Sequence, residues 1–313
     1  MEMLNVCLPV IVSLIIGMIF RERKVVSREG VDGLQALVMN VTLPLGLFST
    51  FYRTHIDVDT LIFPIVFFAV TAGGIFVGRV LCKLFKQTDA YLPFMMSGYE
   101  AGMLGYALLG ILLGTGRITT FAMMDMGHVL AIFTVYTAMA KSIGGQKQSA
   151  SAAIKDILTT PVLMAVVIGI IFGFSGLGQV IDQSIFGPVL DNLCSFLSAP
   201  TSVAILVVIG YRLKFKDVDW KSISLASALR ILMQVMFAII IIALFKLIGG
   251  IFGEPLTMLS AIMMIILPPP YVLPLYIKKE TQKEFYSSAL SAYTLLSIVG
   301  FIIITAVVVS MGL

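Results

Sequence analysis

Residues 267–274 read Leu267-Pro268-Pro269-Pro270-Tyr271-Val272-Leu273-Pro274, in an apolar run that extends from 255 to 277. Each proline lacks an amide proton and its ring clashes with the preceding turn, so three in a row cannot continue an α-helix. Unwound backbone is costly in hydrocarbon, so it persists only when it is buried in protein or lines a wet cavity. The stretch therefore predicts an interrupted membrane helix. A loop between two short helices is the alternative, and it would leave pieces too short to span the bilayer.

A second interruption is predicted at residues 97–105, which read Ser97-Gly98-Tyr99-Glu100-Ala101-Gly102-Met103-Leu104-Gly105. Three glycines and an acid stand in the middle of the apolar run 90–114. An ionised carboxylate at that depth must be partnered, solvated or protonated, and the last of these suits a proton-coupled step. Close helix packing through small residues is the alternative explanation of the glycines. For Glu100 the alternative is a position near a membrane surface.

The composition excludes a soluble globular domain, because 59% of the 313 residues are hydrophobic and only 12% are charged. Apolar runs fall at 3–20, 33–52, 60–82, 90–114, 118–140, 156–175, 184–210, 221–248, 255–277 and 285–311. We number these runs as spans 1 to 10 and predict ten transmembrane helices with no appended soluble domain. Basic residues follow the first run, which therefore predicts a permanent span and not a cleaved signal peptide. The three cysteines have no paired spacing and predict neither a disulfide framework nor a metal motif.

The basic residues orient the predicted spans. Seventeen of the 21 Lys and Arg residues lie in or beside the connectors after spans 1, 3, 5, 7 and 9, and three lie in the other connectors. Cytoplasmic connectors attract Lys and Arg, so both termini are predicted to lie outside (N-out/C-out) in a multi-pass protein of the bacterial cytoplasmic membrane. The net charge of +4 reflects these connectors and does not indicate a nucleic-acid partner. The lipid bilayer is the predicted surrounding, and the oligomeric state is left open, a homodimer included.

Two halves of five spans each are predicted, residues 1–143 and 156–313, joined by a polar cytoplasmic connector at 144–155. An odd number of spans in each half means that any repeat must be inverted in the membrane. Pro9, Gly17 and Phe20 recur 152 positions later as Pro161, Gly169 and Phe172. Tyr52-Arg53 and Asp57-Val58-Asp59 recur 159 and 160 positions later as Tyr211-Arg212 and Asp217-Val218-Asp219. This 5+5 inverted repeat is typical of secondary transporters, whose solute site lies between the repeats near the midplane.

The two interruptions form the candidate solute site. A half-helix N-terminus offers free N–H groups and partial positive charge, so a small organic anion is the first predicted substrate. The candidate solute-binding residues are Asn40, Glu100, Gly102, Gly105, Pro268, Pro269, Pro270 and Tyr271. Asn40 is included because it precedes Pro44, where a kink is expected to face the core.

Other polar residues lie inside predicted spans. Asp125 and His128 are three apart and share a helix face, so together with Glu100 they are candidates for proton coupling; a hydrogen-bonded structural pair is the alternative. Arg230, followed by Gln234 one turn later, is expected to extend to the membrane interface. Phosphate-loop, dinucleotide and His-Glu-x-x-His motifs are missing from the sequence, which has only two histidines. No cofactor, metal or enzymatic activity is predicted, with an intramembrane enzyme using Asp125 and His128 as acid and base as a weak alternative.

Four short stretches carry a family resemblance: residues 40–48 (NVTLPLGLF), 98–105 (GYEAGMLG), 269–271 (PPY) and 291–297 (SAYTLLS). In this order and with ten spans, they resemble the auxin efflux carrier family, which includes the plant PIN carriers and many bacterial permeases. The resemblance covers nearly the whole chain. It implies two crossing broken helices, spans 4 and 9, with a scaffold domain, a moving transport domain and organic anions such as auxin or malate as substrates. Glu100 stands where the family usually has Asn, and Ala107 where it usually has Pro.

The predicted function is alternating-access transport of a small organic solute, with an organic anion such as a carboxylate as the first choice. Spans 4 and 9 hold the solute, and a bundle that contains them moves against spans 1, 2, 6 and 7. The acid at position 100 favours a cationic or neutral solute unless Glu100 is protonated. The alternatives are a sodium-coupled symporter of the bile-acid carrier type and a membrane sensor that binds a ligand without moving it.

Overall fold

The computed structural model describes residues 2–52, 58–114, 118–145, 149, 151, 154–155, 159–213 and 220–311. In these residues the regular structure is helical, and no strand occurs. We label the helices α1 Glu2–Glu22, α2 Arg28–Tyr52, α3 Ile62–Leu84, α4 Leu92–Met96, α5 Tyr106–Leu113, α6 Thr119–Ile143, α7 Pro161–Ser175, α8 Leu177–Asp182, α9 Gly187–Arg212, α10 Trp220–Ile248, α11 Pro255–Ile266 and α12 Glu280–Met311. Arg53, His55, Asp57 and residues 217–219 lie outside the described residues.

Short non-α turns modify several of these helices. Single π-helical turns lie inside α2 at Val38–Thr42, directly before α5 at Ala101–Gly105, and inside α6 at Ile132–Tyr136. Short 3₁₀ segments precede α3 at Val58–Leu61 and follow the second interruption at Leu273–Tyr276. Such turns commonly mark places where a helix is interrupted or carries function.

Eight helical segments in the described part of the chain are long and apolar enough to cross a membrane. They comprise α1, α2, α3, the pair α4–α5, α6, α9, α10 and α12. The helices α7 and α11 are also apolar, but they have only 15 and 12 residues. The chain is therefore an all-α, multi-pass membrane protein, while the count of ten crossings, the inverted repeat and the outward termini stay predictions.

The interrupted helix pair α4–α5 lies in the interior of the protein. Its membrane-length window is 72% buried and that of α6 is 61% buried, against 28–39% for the other six long segments. Lipid-facing helices expose one side to hydrocarbon, whereas a helix with unpaired backbone must be enclosed by protein or water. The fold thus places the Gly-rich stretch where an interruption is tolerated.

Two glycines that the proposed repeat relates make equivalent contacts. A Cβ added at Gly17 in α1 would overlap the Val207 carbonyl oxygen and the Tyr211 nitrogen of α9. A Cβ added at Gly169 in α7 would lie 3.3 Å from the Phe48 oxygen and 3.5 Å from the Tyr52 nitrogen of α2. Phe48 and Tyr52 precede Val207 and Tyr211 by the same 159 positions. The contact between α1 and α9 therefore recurs between α7 and α2.

A third contact joins two residues that the repeat makes equivalent. The Thr201 hydroxyl donates to the Thr42 hydroxyl oxygen at 2.8 Å, and both side chains are buried. These threonines are also 159 positions apart. A bond between equivalent residues lies on the axis that relates their repeats, so this contact and the glycine contacts support the repeat, and its inverted sense stays a prediction.

Candidate functional site

The first break separates α4 from the π-helical turn before α5. Residues 97–100 are not helical, and Gly98 has φ +71°. Glycine adopts this left-handed conformation without the Cβ clash that other residues meet. A Cβ at Gly98 would also lie 2.7 Å from the ring of Pro270 in the second break. Glycine is therefore required here by both the backbone angle and the close approach of the two breaks.

The second break follows α11, which ends at Ile266. Residues 267–270 are again not helical, and the three prolines are buried. The chain then turns through Tyr271 and Val272 into the 3₁₀ segment Leu273–Tyr276. Three consecutive residues without an amide proton explain why the helix stops at this point.

The two breaks meet through backbone hydrogen bonds, and Glu100 makes most of the connection. Its backbone N–H donates to the Pro268 carbonyl at 2.8 Å. Its Oε2 accepts the N–H of Tyr271 at 2.7 Å, and its Oε1 accepts the N–H of Met103 at 3.4 Å. We call this meeting of residues 97–103 and 267–271 the junction, and the two N–H groups held by the Glu100 carboxylate its amide end.

Most of the solute-binding residues predicted from sequence lie at the junction. A Cβ at Gly105 would press on the Phe121 ring at 2.6 Å and on Leu267 at 2.8 Å, so this glycine allows the breaks to approach. Gly102 is different, since the nearest atom to a Cβ there is 3.8 Å away. Asn40 is exposed and its amide donates to the Ala36 carbonyl of its own helix at 2.7 Å. The structure does not bring Asn40 into the junction's hydrogen bonds, so its role as a solute ligand stays a prediction.

The junction's amide groups are used in a way the sequence reasoning did not predict. We expected free N–H groups for a solute carboxylate, and the structure instead places the chain's own carboxylate on them. The geometry is that of a side chain capping a helix N-terminus, with Glu100 preceding the turn Ala101–Gly105. A solute anion at these amides has to displace the Glu100 carboxylate.

Arg230 of α10 lies between the two breaks and does not extend to the membrane interface as expected. Its side chain is fully buried, with 0% exposure. Nη1 donates to the Met95 carbonyl at 2.7 Å, and Nη2 donates to the carbonyls of Gly98 and Leu267, each at 2.8 Å. We call these three carbonyls the carbonyl end of the junction. Arg230 lies about 15 Å along α10 from Trp220, near the middle of the span. At this depth its side chain does not reach water.

Neighbouring residues of α10 and α12 complete the support of the second break. Gln234 donates to the Ile265 and Leu267 carbonyls and accepts from the Tyr293 hydroxyl. Ser297 donates to the Ile266 carbonyl at 2.7 Å, and the Tyr271 and Thr294 hydroxyls are 2.9 Å apart. Sequence reasoning noted Gln234 and the 291–297 stretch but assigned them no contact. Their partners lie 23 to 59 residues away along the chain, and no local pattern reveals such contacts.

Asp125 and His128 of α6 form a buried pair that contacts the first break. His128 Nδ1 is 3.0 Å from Asp125 Oδ1, and His128 Nε2 accepts the backbone N–H of Tyr99 at 3.0 Å. Because Nε2 is an acceptor, the proton of the neutral imidazole is on Nδ1 and is donated to Asp125. The Tyr106 hydroxyl donates to Asp125 Oδ2 at 2.9 Å. This chain of bonds positions the backbone of the first break, and a proton-coupling role for the pair stays a prediction.

A cavity of about 580 Å³ lies beside the amide end. Met103 and Tyr271 line its inner part, and the hydroxyl-bearing residues Ser287, Ser291 and Thr294 of α12 line one side. Its charged lining residues are Arg21, Arg28, Asp32, Arg212 and Lys283. Arg28 and Asp32 are exposed whereas Met103 is buried, so the cavity extends from the surface to the junction. This volume is within the usual range for a small organic ligand.

Metal-ligating side chains do not cluster in the described part of the chain, where no group of three His, Cys, Asp or Glu residues has the spacing to hold a metal ion. The polar groups between α10, α11 and α12 are instead hydroxyl and amide side chains together with backbone carbonyls. The oxygen atoms at the meeting of the two breaks include the backbone carbonyls and the Glu100 carboxylate.

Comparison with known proteins adds one relative. No family model matches the chain. A protein of Methanothermobacter thermautotrophicus that is described as an uncharacterized transporter is 24% identical over 250 residues, which cover 74% of this chain and 75% of that protein. The similarity thus extends over most of both chains and includes more than a single shared motif.

Proposed function

We propose that this protein is a secondary transporter that moves a small organic anion, such as a carboxylate, across the cytoplasmic membrane by alternating access. The observation that carries the proposal is the junction itself. Two interrupted membrane helices meet there, and residues from both, Met103 and Tyr271, line a cavity of about 580 Å³. Interrupted helices with exposed peptide groups beside a cavity are the typical solute sites of secondary transporters.

The charge around the cavity favours an anion. Among the described residues that line it, four of the five charged ones are basic, and Asp32 is the exception. A cleft lined by one sign of charge raises the local concentration of the opposite ion and steers it inward. The basic residues also belong to connectors that are predicted to be cytoplasmic, so we assign this cavity to the inward-facing side.

Three observations support a transporter of this kind. The repeated contacts of Gly17 and Gly169, and the bond between Thr42 and Thr201, fit two related halves. The sequence resembles the auxin efflux carrier family in four stretches that lie in order along the chain. The relative from Methanothermobacter thermautotrophicus is described as a transporter. We therefore propose ten crossings in two inverted halves, with α4–α5 and α11 in the moving part.

Glu100 is the residue at which we propose that proton uptake is coupled to anion transport. The ionised carboxylate holds the amide end and repels a solute anion that approaches the same N–H groups. A proton on Glu100 removes the negative charge and one acceptor, which leaves an amide for the solute. Uptake of a proton together with the anion is therefore the coupling that we assign to this site.

Reconstitution into proteoliposomes tests the function. We expect uptake of one or more carboxylates, little uptake of amino acids or amines, and loss of uptake in Glu100→Ala. The matched control is Glu254→Ala, because Glu254 is exposed at the start of α11 and its side chain makes no capping bond. Binding of a carboxylate without flux would favour a sensor, and uptake of amines alone would contradict the anion assignment.

A further inference from the structure

The junction has one carbonyl that the backbone cannot satisfy. Pro270 lies against Gly98 where the two breaks meet, since a Cβ added at Gly98 would be 2.7 Å from the Pro270 ring. The Glu100 N–H donates to the Pro268 carbonyl. Among the described residues, no backbone N–H donates to the Gly98 carbonyl, and the neighbouring Pro270 has no N–H. The Gly98 carbonyl therefore needs a donor from elsewhere.

Arg230 provides that donor and gathers two more carbonyls with it. Its Nη2 bonds the Gly98 carbonyl of the first break and the Leu267 carbonyl of the second, both at 2.8 Å. Its Nη1 bonds the Met95 carbonyl near the end of α4. The guanidinium also lies 5.7 Å from the Tyr99 ring centre and 5.1 Å from that of Tyr293, where the ring faces favour a cation.

The charge of Arg230 is balanced by backbone oxygens and aromatic rings. Among the described residues, no carboxylate lies within salt-bridge distance of it. A charged side chain at this depth normally pairs with an acid or with carbonyls, and here only carbonyls are present. Carbonyl oxygens from two interrupted helices are also the ligands that such transporters offer to a coupling cation.

We infer that Arg230 is the permanent cation of the junction, occupying the carbonyl site at which a metal ion would otherwise join the two breaks. The transport cycle then needs no sodium ion to hold the breaks together. Removing the side chain converts the carbonyl end into a vacant site for a small cation, with guanidinium as the best-fitting ligand. The place of Arg230 at the carbonyl end and the site left by its removal are properties of the folded protein, whereas the absence of a sodium requirement rests on the proposed function.

Arg230 is not a ligand of the transported anion. It has no exposed surface and does not line the cavity, whose inner part is formed by Met103 and Tyr271. Both of its terminal nitrogens already donate to carbonyls. A solute would have to break these bonds to reach the guanidinium, so a structural role between the breaks fits the geometry better.

Thermal unfolding of the purified protein in detergent tests the site without any substrate. We expect the wild type to melt at the same temperature in sodium, potassium and N-methylglucamine chloride. Arg230→Ala should melt about 5 °C lower or more, and low-millimolar guanidinium should restore at least half of that loss. Arg79→Ala, which removes an exposed arginine of α3, should show neither the loss nor the rescue. A wild type that sodium stabilises, or an Arg230→Ala variant that guanidinium does not stabilise, would overturn the inference.

Arg230→Lys covers the case in which Arg230→Ala does not fold. It keeps the charge but has one nitrogen in place of the two that reach the three carbonyls, so we expect it to fold with a smaller loss and with a smaller guanidinium effect. The transport test compares uptake by wild-type proteoliposomes with and without a sodium gradient, and we expect equal rates. Absence of any uptake together with guanidinium rescue would reject the proposed function and keep the cation assignment. Sodium-driven uptake would support a transport function and overturn the inference that the cycle needs no sodium ion.

Discussion

The carbonyl end and the amide end of the junction are held by opposite charges in different surroundings. Arg230 holds the carbonyl end and is completely buried. Glu100 holds the amide end and is only half-buried, and the residues whose N–H groups it accepts both line the cavity. One end of the junction is thus sealed in protein, whereas the other is reached from the surface.

This difference indicates a division of roles within one site. Buried, charge-assisted hydrogen bonds that bridge two segments stabilise the fold and resist change. A carboxylate beside a cavity can exchange its partners with water, a proton or a solute. We therefore expect changes at the carbonyl end to appear mainly in stability, and changes at the amide end to appear mainly in transport.

The largest effect is expected for Arg230→Met, which leaves the Met95 and Gly98 carbonyls without a donor and the Leu267 carbonyl with only the longer bond from Gln234. Each lost partner costs about 1–3 kcal/mol, so the free energy of unfolding should fall by about 4 kcal/mol. Chemical denaturation in detergent micelles measures this, with Arg79→Met as the control on the exposed face of α3. A loss of less than about 1 kcal/mol would show that the carbonyl end does not depend on Arg230.

A smaller effect is expected when the two glycines of the first break are compared. Gly98→Ala forces a side chain into a positive φ and against Pro270, so we expect a loss of about 2 kcal/mol in the free energy of unfolding. Gly102→Ala has room for its methyl group and lies next to Met103 of the amide end, so the free energy of unfolding should change by less than about 0.5 kcal/mol. Equal losses in the two variants would contradict the division between the ends.

The position of both breaks could be predicted from sequence, because proline and glycine act through local sterics. Three consecutive prolines at 268–270 cannot continue an α-helix, and the glycine at 98 permits a left-handed backbone. The enclosing helices followed from the length and apolarity of each run. These features depend on neighbouring residues in the chain, and that is why sequence reasoning reached them.

The partners of the breaks could not be predicted in the same way. Arg230 bonds Met95 across 135 residues, and nothing near Arg230 in the sequence indicates that contact. The available signal was its depth in a 29-residue apolar helix, with Gln234 one turn later on the same face. Glu100 was recognised as a buried acid, but its place on the amides depends on how Tyr271 approaches it in three dimensions. Asn40 is the opposite case. Its place in a sequence motif predicted a site residue, but the structure does not bring its side chain into the junction's hydrogen bonds.

Glu100→Gln tests the amide end with little change in shape. A glutamine can accept from Tyr271 through its oxygen, but its NH₂ group then faces the N–H of Met103, and two donors oppose each other. We expect nearly unchanged stability, uptake about tenfold slower, which corresponds to about 1.4 kcal/mol, and loss of stimulation by an imposed proton gradient. Uptake that stays proton-stimulated in this variant would remove Glu100 from the coupling step and leave Asp125 and His128 as candidates.

The smallest effect is expected at the outer part of the cavity, where Asp32 pairs with Arg212 at 2.6 Å and both side chains are about half-exposed. Asp32→Asn removes the acidic residue among the described charged groups of the cavity lining and leaves Arg212 free to attract the solute. Exposed pairs contribute little energy, so the KM for an anionic solute should fall by only about twofold. Because exposed charges are screened, this change should disappear at high ionic strength. Glu254→Gln, which lies outside the cavity lining, should leave the KM unchanged at every salt concentration. A raised KM in Asp32→Asn would mean that the basic residues do not guide the solute.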